Sequence, residues 1–215
     1  MKTTAKNTGV KLATAILLTS TFIASSARAE LVLDEAASTS EKAAFNQAID
    51  YLSKSSVARE VLQTLHRSTN VYKVVIGARP ILSTDEEPGN VYDPATRTVY
   101  WIPTYGFQWV TGFNKWQRIT PALGLIHELG HAFHQETDPV RHEKDCQDKM
   151  LTWDNREEKR TIQEIENEVA KTLNESLRRQ HHYTTMKENS GIGFYHTASA
   201  TTVQAANGTF ARLDI

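Results

Sequence analysis

Between Leu125 and Glu136 the chain reads LIHELGHAFHQE. Leu123, Ile126 and Phe133 make this helical stretch largely apolar, so the fold must bury it. Five of its side chains nevertheless ionise, and a buried ionisable group needs a partner. Residues four apart on a helix share a face, one turn apart. His127 and His131 can therefore aim two imidazole nitrogens at one cation, at about 2.0–2.1 Å if it is zinc. Glu128 projects about 100° away and reaches a water beside that cation rather than the cation itself. The pattern supplies two ligands and a general base. With eight histidines and sixteen glutamates in 215 residues, composition alone gives about 0.02 such matches. Chance is thus a poor account, and the competing reading is a solvated polar face.

Two neighbours sharpen the pattern. Gly130 costs a helix up to about 1 kcal/mol relative to alanine. Its presence points to close approach of another backbone, such as a strand that binds substrate. His134 is expected on the surface. The metzincin pattern would require histidine where Thr137 stands, which excludes that class.

The beginning of the chain constrains where it goes. Lys2, Lys6 and Lys11 precede an apolar run from Leu12 to Ala24, and Ala27-Arg28-Ala29 offers a cleavage site before Glu30. Residues 1–29 read as a secretory signal peptide, too short in its apolar part to span a bilayer comfortably. The mature chain, 30–215, is long enough for a single domain with a real core. Removing the leader's three lysines and one arginine takes the formal charge from −1 to −5. Such a chain has no electrostatic footprint for nucleic acid. Cys146 is the only cysteine, so no internal disulfide can form. The expected product is secreted or periplasmic, without stable membrane association once the signal is cleaved.

Local signals predict an α+β order. Ser38 and Glu41 form a capping box ahead of Phe45, Ala48, Ile49 and Leu52, and a second helix carries Val57, Val61, Leu62 and Leu65. Together they give residues 30–68 a helical character. Residues 71–78 read as a strand, 83–90 as a loop, and 90–103 as a hairpin turning at Asp93-Pro94. The glycine-punctuated aromatic stretch 105–118 reads as a loop. Thr120 caps and Pro121 opens the helix that carries HELGH, ending near Gln135. Arg141 to Asp154 shows no clear period. A long helix is predicted from Asn155 to Arg179, and 184–215 reads as an irregular tail.

A catalytic zinc site wants a third protein ligand. Phasing the long helix at 100° per residue with Ile165 at 0° puts Val169 at about 40°, Ile162 at about 60° and Leu173 at about 80°. Glu158 at about 20° and Glu166 at about 100° fall inside that stripe, so both are candidates. Glu157, Glu164, Glu168 and Glu175 fall on the opposite face, expected to be solvated.

In order along the chain, NVYDPATRTVYWIP, HELGHA at 127–132, EEKRTI at 157–162, Glu166-Asn167 and RRQHHY at 178–183 resemble the NleD-like bacterial effector zinc metalloproteases. The resemblance covers roughly residues 70–183. Gln163 stands where that family usually has glycine, and the gap before Glu166-Asn167 is short. The resemblance implies a zincin-like fold: a small antiparallel sheet, an active-site helix and a long C-terminal helix. It implies Zn²⁺ held by His127, His131 and Glu158, with Glu166 as the alternative ligand. Glu128 is the implied general base, and Arg179 and Tyr183 lie near the site, Tyr183 as a transition-state stabiliser. The expectation is a secreted metalloendopeptidase acting on protein or peptide substrates, a virulence effector, with the Thr98–Ile102 strand as an edge that binds extended peptide. A zinc peptidase or amidase acting on cell-wall peptides and a non-proteolytic zinc-binding exported protein are the alternatives.

Overall fold

The computed structural model describes residues 31–77, 89–110, 116–181 and 193–202. The leader, most of the 83–90 loop, Tyr183 and the end of the tail lie outside these residues. Among the described residues no helix is long and apolar enough to cross a membrane.

The architecture is mixed α+β. A short strand β1 (Leu31–Leu33) leads into α1 (Thr39–Leu52) and α2 (Ser56–Arg67). The Ser38–Glu41 capping box forms as the sequence predicts. Strand β2 (Tyr72–Ile76) follows, then the hairpin β3 (Val91–Asp93) and β4 (Thr98–Trp101). The sheet order is β1-β2-β4-β3. The first two pairings are parallel and only β3–β4 is antiparallel, so the sheet is mixed where an antiparallel one was expected. The helical connection between β1 and β2 accounts for this, because parallel strands need such a crossover. Strand β4 is interior, flanked by β2 and β3, and cannot receive a peptide strand; the edge is β3.

The aromatic stretch is not a loop. Strand β5 (Tyr105–Val110) pairs with β6 (Trp116–Ile119) on one side and β9 (Gly193–His196) on the other. Tyr105, Phe107 and Trp109 are in fact alternating strand residues. Gly106 misleads because it looks like turn punctuation. It sits opposite Tyr195, and a Cβ there would lie 2.4 Å from the tyrosine ring. The glycine is required by a neighbouring aromatic in the sheet, not by a turn. Strand β9 likewise replaces part of the predicted irregular tail, drawn in by pairing with residues far upstream.

Helix α3 (Pro121–Thr137) starts as predicted, with the Thr120 side chain accepting from Leu123 N–H. It packs against α1, α2, β3, β4 and β5, at the middle of the apolar core. The Trp101 indole N–H donates to Pro121 O at 2.8 Å and fastens the sheet to the helix start. The stretch without period forms α4 (Pro139–Gln147), capped by Asp138, then the two-residue strands β7 (Lys149–Met150) and β8 (Asp154–Asn155).

The long helix is shorter than predicted and is not uniform. It runs as α5 (Arg156–Arg160), a π-helical segment (Thr161–Glu166) and α6 (Asn167–Leu173). Asn174 terminates it in the left-handed conformation, φ +58°, which asparagine tolerates at a helix end. Glu175 therefore lies beyond the helix rather than on its solvated face. Its carboxylate accepts from Thr120 N–H at 2.7 Å, Thr120 Oγ1–H at 2.9 Å and Tyr51 O–H at 2.9 Å. Glu175→Ala leaves these donors unpaired at the start of α3, and we expect a loss of about 2 kcal/mol of stability, measured by urea denaturation.

Candidate metal centre

Helix α3 presents His127, Glu128 and His131 toward the α5–π–α6 helix, and all three side chains are buried. Gly130 makes the approach possible. A Cβ at this position would stand 2.8 Å from Thr161 Cγ2 and 3.2 Å from Ile165 Cδ1. The close neighbour is thus the π segment, not the substrate strand expected from the sequence.

Glu158 Oε2 lies 3.2 Å from His127 Nε2 and 3.4 Å from His131 Nε2. The two Nε2 atoms are 3.3 Å apart. Donors at 2.0–2.1 Å from a tetrahedral ion stand about 3.3–3.4 Å from one another. Glu158 Oε2 is buried and makes no hydrogen bond. A buried carboxylate oxygen at tetrahedral spacing from two imidazoles could hold a metal ion between them. The His127–Glu128–His131 and His127–Glu158–His181 ligand atoms each gather within 4.8 Å.

The outer nitrogens are held as well. Glu166 Oε2 is 2.8 Å from His127 Nδ1 and is paired with Arg178 at 2.9 Å. Glu157 Oε1 is 3.2 Å from His131 Nδ1, and its other oxygen pairs with Arg160 at 2.5 Å. A carboxylate behind a ligating imidazole fixes the ring and raises its basicity. So Glu166, a candidate ligand by phase, sits on the far side of His127 from Glu158. Of the two adjacent arginines, Arg178 reaches this arrangement, while the Arg179 side chain is exposed.

Two expectations fail here. Glu157 was placed on a solvated face and is buried. The π segment turns the chain less per residue than an α-helix, so phases counted across it are wrong. His134, expected on the surface, is buried too, with Nδ1 2.7 Å from Glu157 Oε1. Helices α4 and α5 cover that side of α3. His142 and Cys146 line the same cleft, and so does His181, whose Nε2 is 3.3 Å from Glu158 Oε2. Only the histidine pair in RRQHHY marked the last of these.

Charge points the same way. Glu157 and Glu166 each have an arginine. Among the described residues no lysine or arginine pairs with Glu128 or Glu158. Burial disfavours the imidazolium of His127, but Glu158 and Glu166 outweigh it and lift its pKa to about 9. Burial is likewise outweighed at His131, by Glu158 and Glu157, and its pKa stands well above the ordinary value. Burial would raise the Glu158 pKa, yet His131 and His127 hold it well below the usual carboxylate range. At Glu128 burial prevails over His127 and His131 and the pKa rises. The charge of Glu128 and Glu158 can be balanced by protons on His127 and His131 or by one divalent cation in their place.

The cleft over these residues has a volume of about 270 Å³ and is bordered by Asn90, Val91, Tyr92 and Pro94 of the β3 edge. Comparison with protein-family models, curated proteins and solved structures finds no match to this chain. The site therefore stands on its own geometry. If Glu166 orients His127, Glu166→Gln should weaken metal binding about 10–100-fold, read by competition with a chelator, without emptying the site.

Proposed function

We propose that the protein is a zinc-dependent metallopeptidase, with His127, His131 and Glu158 as metal ligands and Glu128 as general base. The observation that carries this reading is the unpaired Glu158 Oε2, at 3.2 and 3.4 Å from the two Nε2 atoms of an HELGH helix. Bound there, zinc would supply a Lewis acid that polarises a carbonyl and makes a water acidic near neutral pH. The Glu128 carboxylate, one residue from His127 and on the cleft, is positioned to take a proton from that water and pass it to the leaving amine. Its raised pKa suits a group that must both accept and release a proton.

Substrate positioning falls to strand β3. Among the described residues its outer edge is unpaired within the sheet, and its residues border the cleft beside Glu128. An extended peptide can add to that edge through backbone hydrogen bonds and bring one carbonyl over the site. The resemblance to NleD-like effector proteases supports a protein substrate and an exported enzyme.

Metal analysis and a protease assay on the purified chain test the reading. About one zinc per chain is expected in the wild type and in Glu128→Gln, and none in Glu158→Ala. Glu128→Gln should lose peptide hydrolysis by about 10²–10⁴-fold while keeping its metal. Zinc-loaded protein that cleaves peptidoglycan peptides but no protein would redirect the substrate to the cell wall. Zinc without any hydrolysis would leave a metal-binding protein only.

A further inference from the structure

We infer that His181 is a third imidazole ligand of the same ion, carried on a strap that can release it. The inference rests on the metal reading above and extends it to the fourth coordination position.

The three histidines repeat one arrangement. His127, His131 and His181 each place Nε2 at 3.2, 3.4 and 3.3 Å from the same Glu158 oxygen. Each has a carboxylate on the Nδ1 side: Glu166 at 2.8 Å, Glu157 at 3.2 Å and Asp154 at 3.6 Å. The His181 ring stacks on that of His127, 18° from parallel with centroids 6.1 Å apart. A surface histidine has no reason to share both features with two buried ones. Four of the six edges of a ligand tetrahedron are thereby set near 3.3 Å.

The chain is built to bring His181 there. Its N–H donates to Thr152 O at 3.0 Å, next to the β7–β8 turn. Arg178 anchors the segment from the other end. Its backbone N–H donates to Asn167 Oδ1 and its C=O accepts from Asn167 Nδ2, both at 2.8 Å, while its guanidinium holds Glu166 and donates to His181 O. The same arginine thus braces the carboxylate behind His127 and the segment that carries His181.

The strap is also the part that can let go. His127 and His131 come from the interior of a seventeen-residue buried helix, with side-chain exposures of 7% and 9%. His181 lies outside regular structure, and its side chain is 22% exposed. Catalytic zinc sites keep one position open, whereas sites with four protein ligands are closed. With His181 bound the centre is closed and at rest. Substrate adding along β3, on the same cleft, takes the position that His181 vacates.

Cobalt(II) loaded in place of zinc provides the test, because its spectrum reports the donors directly. In the purified wild-type chain we expect a tetrahedral cobalt spectrum. His181→Ala should change that spectrum and weaken zinc more than about 100-fold, beyond the effect of losing a supporting carboxylate. Added imidazole should restore the wild-type spectrum. His181→Cys should add a sulfur-to-cobalt charge-transfer band that is absent from the wild type, which already carries Cys146 in the cleft, so that a new band reports coordination by residue 181. Unchanged spectra and zinc affinity within about threefold of wild type in His181→Ala, with no charge-transfer band in His181→Cys, would overturn the inference. If Glu158→Ala still abolished cobalt binding, the metal reading would survive that result. A wild-type chain that binds no cobalt or zinc would remove both.

Discussion

The carboxylate of Glu158 organises this molecule. Its Oε2 atom is buried beside imidazole nitrogens, and among the described residues it makes no hydrogen bond. A lone carboxylate in such surroundings would normally recover a proton. Here the histidines keep it ionised instead, and the histidines become basic in turn. A metal would compete with protons for the same lone pairs, so binding one would release protons and stabilise the fold at once. The helices that meet at this point, α3 and α5–π–α6, also pack through Leu129, Ile165 and Val169 of the core.

The two opposite edges of an imidazole explain how two adjacent glutamates serve one histidine. Neighbouring residues on an α-helix diverge by about 100°, so Glu157 and Glu158 cannot lie on one line. They need not, because an imidazole has two nitrogens on opposite edges. Glu158 meets His131 at Nε2 and Glu157 meets it at Nδ1. Thr161, at the start of the π segment, donates to Glu157 Oε1 at 3.1 Å and fixes which way that carboxylate points. The segment then brings Glu166 back to His127 from the far side. Wide turns of this kind recur at functional sites, and here the widening lets one helix grip two rings from both sides.

What was legible in the sequence was local. The Ser38 and Thr120 caps, the β3–β4 hairpin and the two-histidine face each depend on residues within a few positions of one another. What was hidden depends on distant partners. Gly106 reads as a turn until Tyr195 is known to lie opposite it, and β9 has no signal apart from its pairing with β5. Glu157 reads as solvated because a uniform helix was assumed through a segment that is not uniform. Glu158 and Glu166 were both found on the buried stripe, but phase holds no information about which edge of a ring each would meet. His181 is brought in by Thr152 and Asn167, contacts between segments that no periodicity describes.

The donor set also argues about which ion belongs here. Calcium and magnesium require six or more oxygen donors, and this pocket offers few oxygens among imidazole nitrogens. Imidazole suits zinc, copper, iron and nickel. Spacings near 3.3 Å on all four measured edges suit tetrahedral coordination rather than the square-planar arrangement copper(II) and nickel(II) prefer, which would lengthen the distance between opposite donors. Iron(II) sites built from two histidines and a carboxylate leave one face open for octahedral ligands, and a third histidine across the Glu158 oxygen would crowd that face. Zinc, which has no geometric preference of its own, would accept a tetrahedron of this kind, and for that reason it is the ion we propose.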